Sequence, residues 1–150
     1  MESSVCLEEF NKYLTNVKKA SANTLASYLR DVRQLDDYLR SHDLSELAEA
    51  DDEELEGYIT WLRHNGKSPA TVSRSIASLK CFYGHMLDLG VVEHNPASGL
   101  VPEKSVQKLP QILTSKEVEL LLEQPECSDM KGYRDRAMLE LLYATGIRVS

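Results

Sequence analysis

The chain has 150 residues, 42% hydrophobic and 27% charged, which are globular values and exclude wholesale disorder. No run approaches about 18 uncharged apolar residues, so no transmembrane helix is expected. A net charge of −7, from 17 Lys+Arg against 24 Asp+Glu, argues at first sight against a nucleic-acid partner. Met1-Glu2-Ser3-Ser4 lacks the basic and apolar regions of a secretion signal. Cys6, Cys81 and Cys127 are odd in number and widely spaced, so they form neither a disulfide framework nor a paired metal motif, and a reduced cytoplasmic compartment is expected.

In chain order, Leu7, Phe10, Tyr13, Leu14 and Val17 recur at helical spacing and predict a first helix over about 4–18. Lys18-Lys19-Ala20-Ser21 is a short polar break. Leu25, Tyr28, Leu29, Val32, Leu35, Tyr38 and Leu39 form a long second stripe, with Ser21 or Asn23 as its cap. Eight acids and no base then fall between Asp43 and Glu56; outside that window 17 bases face 16 acids. Carboxylates suit a helix start, so the run reads as a solvated face opening a third helix near Asp51 or Asp52, with Leu55, Tyr58, Ile59 and Leu62 inward. Gly66 is its left-handed cap.

Ser68-Pro69 is a strong helix start, and the fourth helix should run to about Leu89, with Val72, Ile76, Leu79, Tyr83, Met86 and Leu87 apolar. Residues 57–87 hold four bases (Arg63, Lys67, Arg74 and Lys80) and no acid. Four amphipathic helices with short connections imply an all-α bundle over residues 1–100. Asn95-Pro96 opens a turn. Residues 101–112, with Pro102, Pro110, Lys104 and Lys108, read as an exposed linker. Residues 113–150 form a second, smaller piece: Thr114 and Glu117 make a capping box, Val118, Leu121 and Leu122 follow, and another helix covers about 133–143 before Ala144-Thr145-Gly146. A piece of that size is too small for a stable core, so the apolar faces around Leu121, Leu122, Met138, Leu141 and Leu142 lack their normal cover and are expected to fold back on the helical domain, pair between chains or be poorly ordered. His42, His64, His85 and His94 have no ligand spacing, so no metal is expected. No glycine-rich phosphate loop is present, and no nucleotide cofactor is expected.

Residues 134–150, above all Leu141-Leu142-Tyr143-Ala144-Thr145-Gly146-Ile147-Arg148-Val149-Ser150, resemble the first catalytic motif of tyrosine recombinases, the phage-integrase and Xer-type enzymes. Asn23-Thr24-Leu25 with Tyr28 and Arg30-Asp31 is similar to the second helix of that family's core-binding domain. Ser68-Pro69-Ala70-Thr71-Val72 with Arg74, Leu79, Phe82 and Tyr83 is similar to its fourth. Asn95-Pro96, Leu109-Pro110, Leu113-Thr114 and Glu117-Val118 match the interdomain region, so the resemblance covers essentially the whole chain.

The resemblance implies a SAM-like four-helix core-binding domain, a linker, and the truncated helical start of a catalytic domain. It implies site-specific cutting and rejoining of double-stranded DNA through a 3′-phosphotyrosyl intermediate, without a cofactor, by a tetramer of two dimers on two sites. Arg148 matches the first catalytic arginine, whose planar, permanently charged guanidinium suits the transition-state phosphate. A helix-start arginine in a surface salt bridge is the alternative. The lysine, the His-x-x-Arg pair and the nucleophilic tyrosine are expected beyond residue 150, so these residues alone should not cleave DNA. A first helix that begins almost at Met1 suggests the simple Xer-like layout. In the family the second and fourth helices face the major groove, which here offers Lys18, Lys19, Ser21, Thr24, Ser27 and Arg30, then Lys67, Ser68, Thr71, Arg74, Ser75 and Ser78. Arg74 is the foremost base-contact candidate and Lys67 the foremost phosphate contact. The competing class is a non-catalytic helical module whose acidic 43–56 surface binds a protein.

Overall fold

A computed structural model describes residues 2–102 and 112–148. These residues form six α-helices and no strand. The chain divides into two compact units, residues 1–106 and 107–150. Residues 103–111, which include most of the expected linker with Lys104 and Lys108, and residues 149–150 lie outside the described residues.

The first unit is the helical bundle. Helix α1 spans Ser3–Lys12 and widens into a π-helical turn, Tyr13–Val17. Lys19 then takes a left-handed φ of 47°, which ends the segment. Helix α2 spans Ala22–Ser41, α3 Asp52–His64 and α4 Pro69–Asp88. Each of these three starts on a side-chain cap: Ser21 rather than Asn23, Asp51 rather than Asp52, and the expected Ser68. Each also ends in a left-handed residue, Asp43, Gly66 or Gly90. The next residue's N–H then reaches back to the last turn: Leu44 to the Leu39 carbonyl at 2.9 Å, Lys67 to Leu62 at 3.2 Å, Val91 to Met86 at 2.9 Å.

The acidic run proves to be a structured helix entrance. Asp51 Oδ1 accepts the Glu54 N–H at 2.9 Å, and the Glu54 carboxylate accepts the Asp51 N–H at 3.1 Å, a reciprocal capping box. Glu54 also accepts the Ser45 N–H at 3.1 Å and the Ser45 hydroxyl. One carboxylate thus ties the 42–51 connection to the first turn of α3.

Helix α2 packs most extensively on α4, and α1 and α3 cover that pair. Phe10 and Leu14, Val32, Leu35 and Leu39, then Leu55, Tyr58, Ile59 and Leu62 meet Val72, Ile76, Leu79, Phe82, Tyr83 and Met86 in one core. Leu47, Ala97 and Leu100 close its ends. The buried Tyr83 hydroxyl donates to the Leu47 carbonyl at 3.0 Å, which pins the acidic connection to the core. Asn95 donates to the Lys80 carbonyl at 3.2 Å and accepts the Ala97 N–H at 2.9 Å, which folds the expected turn against α4. Two residues expected inside are outside: Val17 is 69% exposed and Leu87 40%. The π turn shifts the helical phase before Val17, and Leu87 lies in the last turn of α4 beyond the reach of its neighbours.

In the second unit, α5 spans Ser115–Leu122 from the expected Thr114–Glu117 capping box. Helix α6 spans Met130–Thr145, longer at both ends than the apolar pattern suggests. Its cap is Asp129, which accepts the Gly132 N–H at 2.7 Å, and it closes on left-handed Gly146. Leu121, Met138 and Leu141 are each about half exposed, and Leu122 and Leu142 are half-buried.

Candidate nucleic-acid interface

Helices α2 and α4 start with the same local device. Ser21 Oγ accepts the Thr24 N–H at 3.3 Å, and the two hydroxyls lie 2.9 Å apart. Ser68 and Thr71 repeat this at 3.2 and 3.0 Å. Serine at the cap and threonine three residues on satisfy the first-turn donors, while Ser21, Thr24 and Ser68 stay exposed and Thr71 is half-buried. Each of these helix starts therefore presents hydroxyls and a positive dipole end to solvent.

A second arrangement gathers charge. A surface cavity of about 530 Å³ is lined by Ala26, Leu29, Arg30, Arg33, Gln34, Asp37 and Lys67. It brings Arg30 of α2 together with Lys67 of the α3–α4 connection, two residues that the sequence reading placed on one surface. Arg33 joins them, although the sequence motifs do not single it out. Its signal was available, since it lies three residues after Arg30 and so shares that side of the helix. Among the described residues, none of these three cations is ion-paired, whereas Lys12 is held by Glu8 and Glu9 and Arg40 by Asp36.

The remaining predicted residues divide. Lys18 lies over the Tyr13 ring at 5.8 Å, and Lys19 occupies the left-handed turn beside it; both are exposed. Ser27 is half-buried. Ser75 and Ser78 need correction: they are 2% and 0% exposed. Both lie on the face of α4 that packs inward, so neither side chain can touch a duplex directly.

Arg74 is not a free cation. Its Nε donates to Asp31 Oδ2 at 3.1 Å and its Nη2 to Oδ1 at 2.9 Å. The Ser78 hydroxyl lies 3.0 Å from Oδ2. Asp31 is 1% exposed, while the Arg74 side chain is 41% exposed. The carboxylate's hydrogen bonds hold the guanidinium even further above its already high range. Tyr58 borders this polar group; burial pushes its phenol far up, so it stays neutral.

Arg148 lies exposed just beyond the Gly146 cap of α6. Among the described residues, no group of His, Cys, Asp or Glu side chains could hold a metal ion, and no helix is long and apolar enough to cross a membrane.

Residues 7–88 match the family described as phage integrase, N-terminal SAM-like domain. The tyrosine recombinase XerD of Listeria innocua is 37% identical over 145 residues, covering 96% of this chain and 49% of the relative. XerD of Listeria monocytogenes is 35% identical over 145 residues, with the same coverage. XerD of Staphylococcus aureus is 35% identical over 144 residues, also 96% and 49%. The chain thus spans about half the length of the curated relatives it matches. With a SAM-like family match over more than half its length and recombinase relatives along nearly all of it, this helical chain belongs to the tyrosine recombinase, or phage integrase, family.

Proposed function

We propose that residues 1–100 bind the core site of a recombining DNA duplex. Residues 101–112 then link that domain to the start of a catalytic domain, which holds Arg148 as its first catalytic arginine. The observation that carries the reading is the set of cations Arg30, Arg33 and Lys67, unpaired among the described residues, gathered on a fold that matches the integrase SAM-like domain. A net acidic protein can bind DNA when its acid excess lies elsewhere, and here eight of the 24 acids cluster at the entrance to α3 while, among the described residues, Asp37 is the one acid lining the cavity of the three cations. Arg30, Arg33 and Lys67 serve phosphates, the Ser21 and Ser68 helix starts add backbone donors, and Arg74 reads a base edge.

Phosphate contacts release counterions, so their removal has a signature. Lys67→Ala or Arg33→Ala should weaken binding to every duplex alike and flatten the plot of log affinity against log salt by about one unit. Fluorescence anisotropy on two unrelated duplexes between about 50 and 200 mM salt measures this. Absence of duplex binding by the parent chain at the low-salt end would overturn the reading.

In the full-length protein, Arg148 would stabilise negative charge on the scissile phosphate, and no cofactor is required for attack by a tyrosine. Assembly as two dimers on two sites, in the cytoplasm, completes the reading. No tyrosine follows Arg148 in these 150 residues. A suicide duplex incubated with this chain should therefore trap no covalent adduct on a denaturing gel, and an adduct would refute the division of labour.

A further inference from the structure

We infer that Asp31 is a specificity-determining positioning residue, which turns Arg74 from a general phosphate-binding cation into a directed donor for a base edge. The inference rests on the DNA-binding reading above and goes beyond it by separating two kinds of arginine. Arg30 and Arg33 have no ion-pair partner among the described residues and carry their full charge toward solvent. Arg74 shares its charge with a buried carboxylate on the neighbouring helix.

The geometry specifies what remains. A guanidinium has five N–H donors in one plane. Asp31 engages Nε and Nη2, so the edge formed by Nη1 and the second Nη2 hydrogen is left for an outside acceptor pair. That edge suits bidentate recognition of guanine O6 and N7. The plane is fixed because Asp31 is itself fixed: it is buried, and the Ser78 hydroxyl lies between its Oδ2 and the Ser75 carbonyl, at 3.0 and 2.9 Å. Ser78 thus affects DNA binding from inside the bundle, through Asp31 and Arg74. An apolar residue at position 31 would pack the α2–α4 seam without desolvating a charge. The carboxylate supplies orientation and neutralisation instead.

Local neutralisation gives the test its discriminating readout. The 150-residue chain is used to select preferred duplexes from a randomised pool, and affinity is then measured on a selected and a scrambled duplex across salt. Asp31→Asn should release the charge and direction of Arg74 together. Affinity for scrambled DNA should hold or rise, and the salt dependence should steepen by about one unit. Preference for the selected duplex should fall about tenfold. In an Arg74→Ala background, Asp31→Asn should change neither quantity. Ser78→Ala keeps the ion pair but removes one of the two hydrogen bonds that Oδ2 accepts. It should lower preference several-fold without moving the salt dependence, and it decides the matter if Asp31→Asn does not fold.

Equal weakening on both duplexes in the folded variants, or an unchanged preference, would overturn the inference by making Asp31 merely structural. A parent chain that binds duplexes but selects no sequence would overturn it and leave the DNA-binding reading standing. A parent chain that binds no duplex would remove both.

Discussion

Phe82→Ala is expected to lower the stability of the helical bundle by about 3–5 kcal/mol, the range for removing a fully buried aromatic ring. Phe82 has no exposed surface. It meets Phe10 edge-on at 5.3 Å and its neighbour Tyr83 at 4.9 Å, so it links α1 to the central α2–α4 pair. Truncation leaves a void walled by two aromatic rings anchored on separate helices, and such walls collapse poorly. Against a typical domain stability of about 5–15 kcal/mol, that loss is a large fraction of the total. Trp61, the only tryptophan, sits at the edge of this core near Tyr58 and Tyr38 and reports on this unit. A urea titration followed by its fluorescence should show the midpoint fall sharply. Leu89→Ala, at a site 48% exposed, should stay within about 0.5 kcal/mol of the parent. A Phe82→Ala loss below about 1 kcal/mol would contradict the packing described.

Gly132→Ala should destabilise the second unit by more than about 2 kcal/mol, toward the upper end of overpacking costs. The sign is the test, because Gly132 lies in the first turn of α6 and helix propensity alone predicts a gain of up to about 1 kcal/mol. A Cβ there would stand 1.7 Å from the Glu126 carbonyl oxygen and 2.7 Å from its carbon. The obstacle is backbone, so no side-chain rotation relieves it, and the 126–129 turn must move. That movement also breaks the Asp129 cap, whose oxygen receives the Gly132 N–H. Hydrogen exchange over residues 129–136 should lose protection in the variant. Gly146→Ala is the contrast: nothing stands near its added methyl, and only the left-handed φ opposes it, at about 1–2 kcal/mol. Equal or greater protection in Gly132→Ala would disprove the close approach.

The helix frame was legible because its punctuation is chemical. Ser21, Asp51, Ser68 and Thr114 each carry an oxygen that can accept a first-turn N–H, and each is a cap. The candidate interface was legible only in part. Periodicity assigns faces by polarity, and a serine small enough to sit in a tight helix seam defeats it. As the central helix, α4 buries a wide arc that takes in Ser75 and Ser78. Asp31 belongs to the Arg30-Asp31 pair of the motif, but its partner lies 43 residues away, and nothing local to either residue reveals the pairing. It did carry a hint, being a carboxylate between Tyr28 and Leu35 on the buried stripe. Arg33 shows the opposite failure, a surface cation with the right spacing that no motif drew attention to. Arg148 is a candidate only through the motif around it, since its exposed position after Gly146 distinguishes it from no other exposed arginine.

The Glu54 arrangement has a consequence for anyone redesigning the electrostatics of this protein. Charge removal in the acidic stretch is not interchangeable from site to site. Asp51→Asn keeps the oxygen that caps α3, whereas Glu54→Gln turns one of its two accepting oxygens into a donor and so breaks part of the cap or of the tether to Ser45. Asp43 stands in a left-handed turn, where asparagine or glycine are the natural replacements. Asp52 faces His94 at 3.4 Å. Glu46, Glu49, Glu53 and Glu56 are exposed, with side chains that make no hydrogen bond or ion pair among the described residues. Substituting those four with glutamine would shift the net charge from −7 to about −3 with little expected change in stability. The folded scaffold therefore has an adjustable long-range field: under the proposed function, attraction for the duplex can be strengthened without altering any residue proposed to contact it.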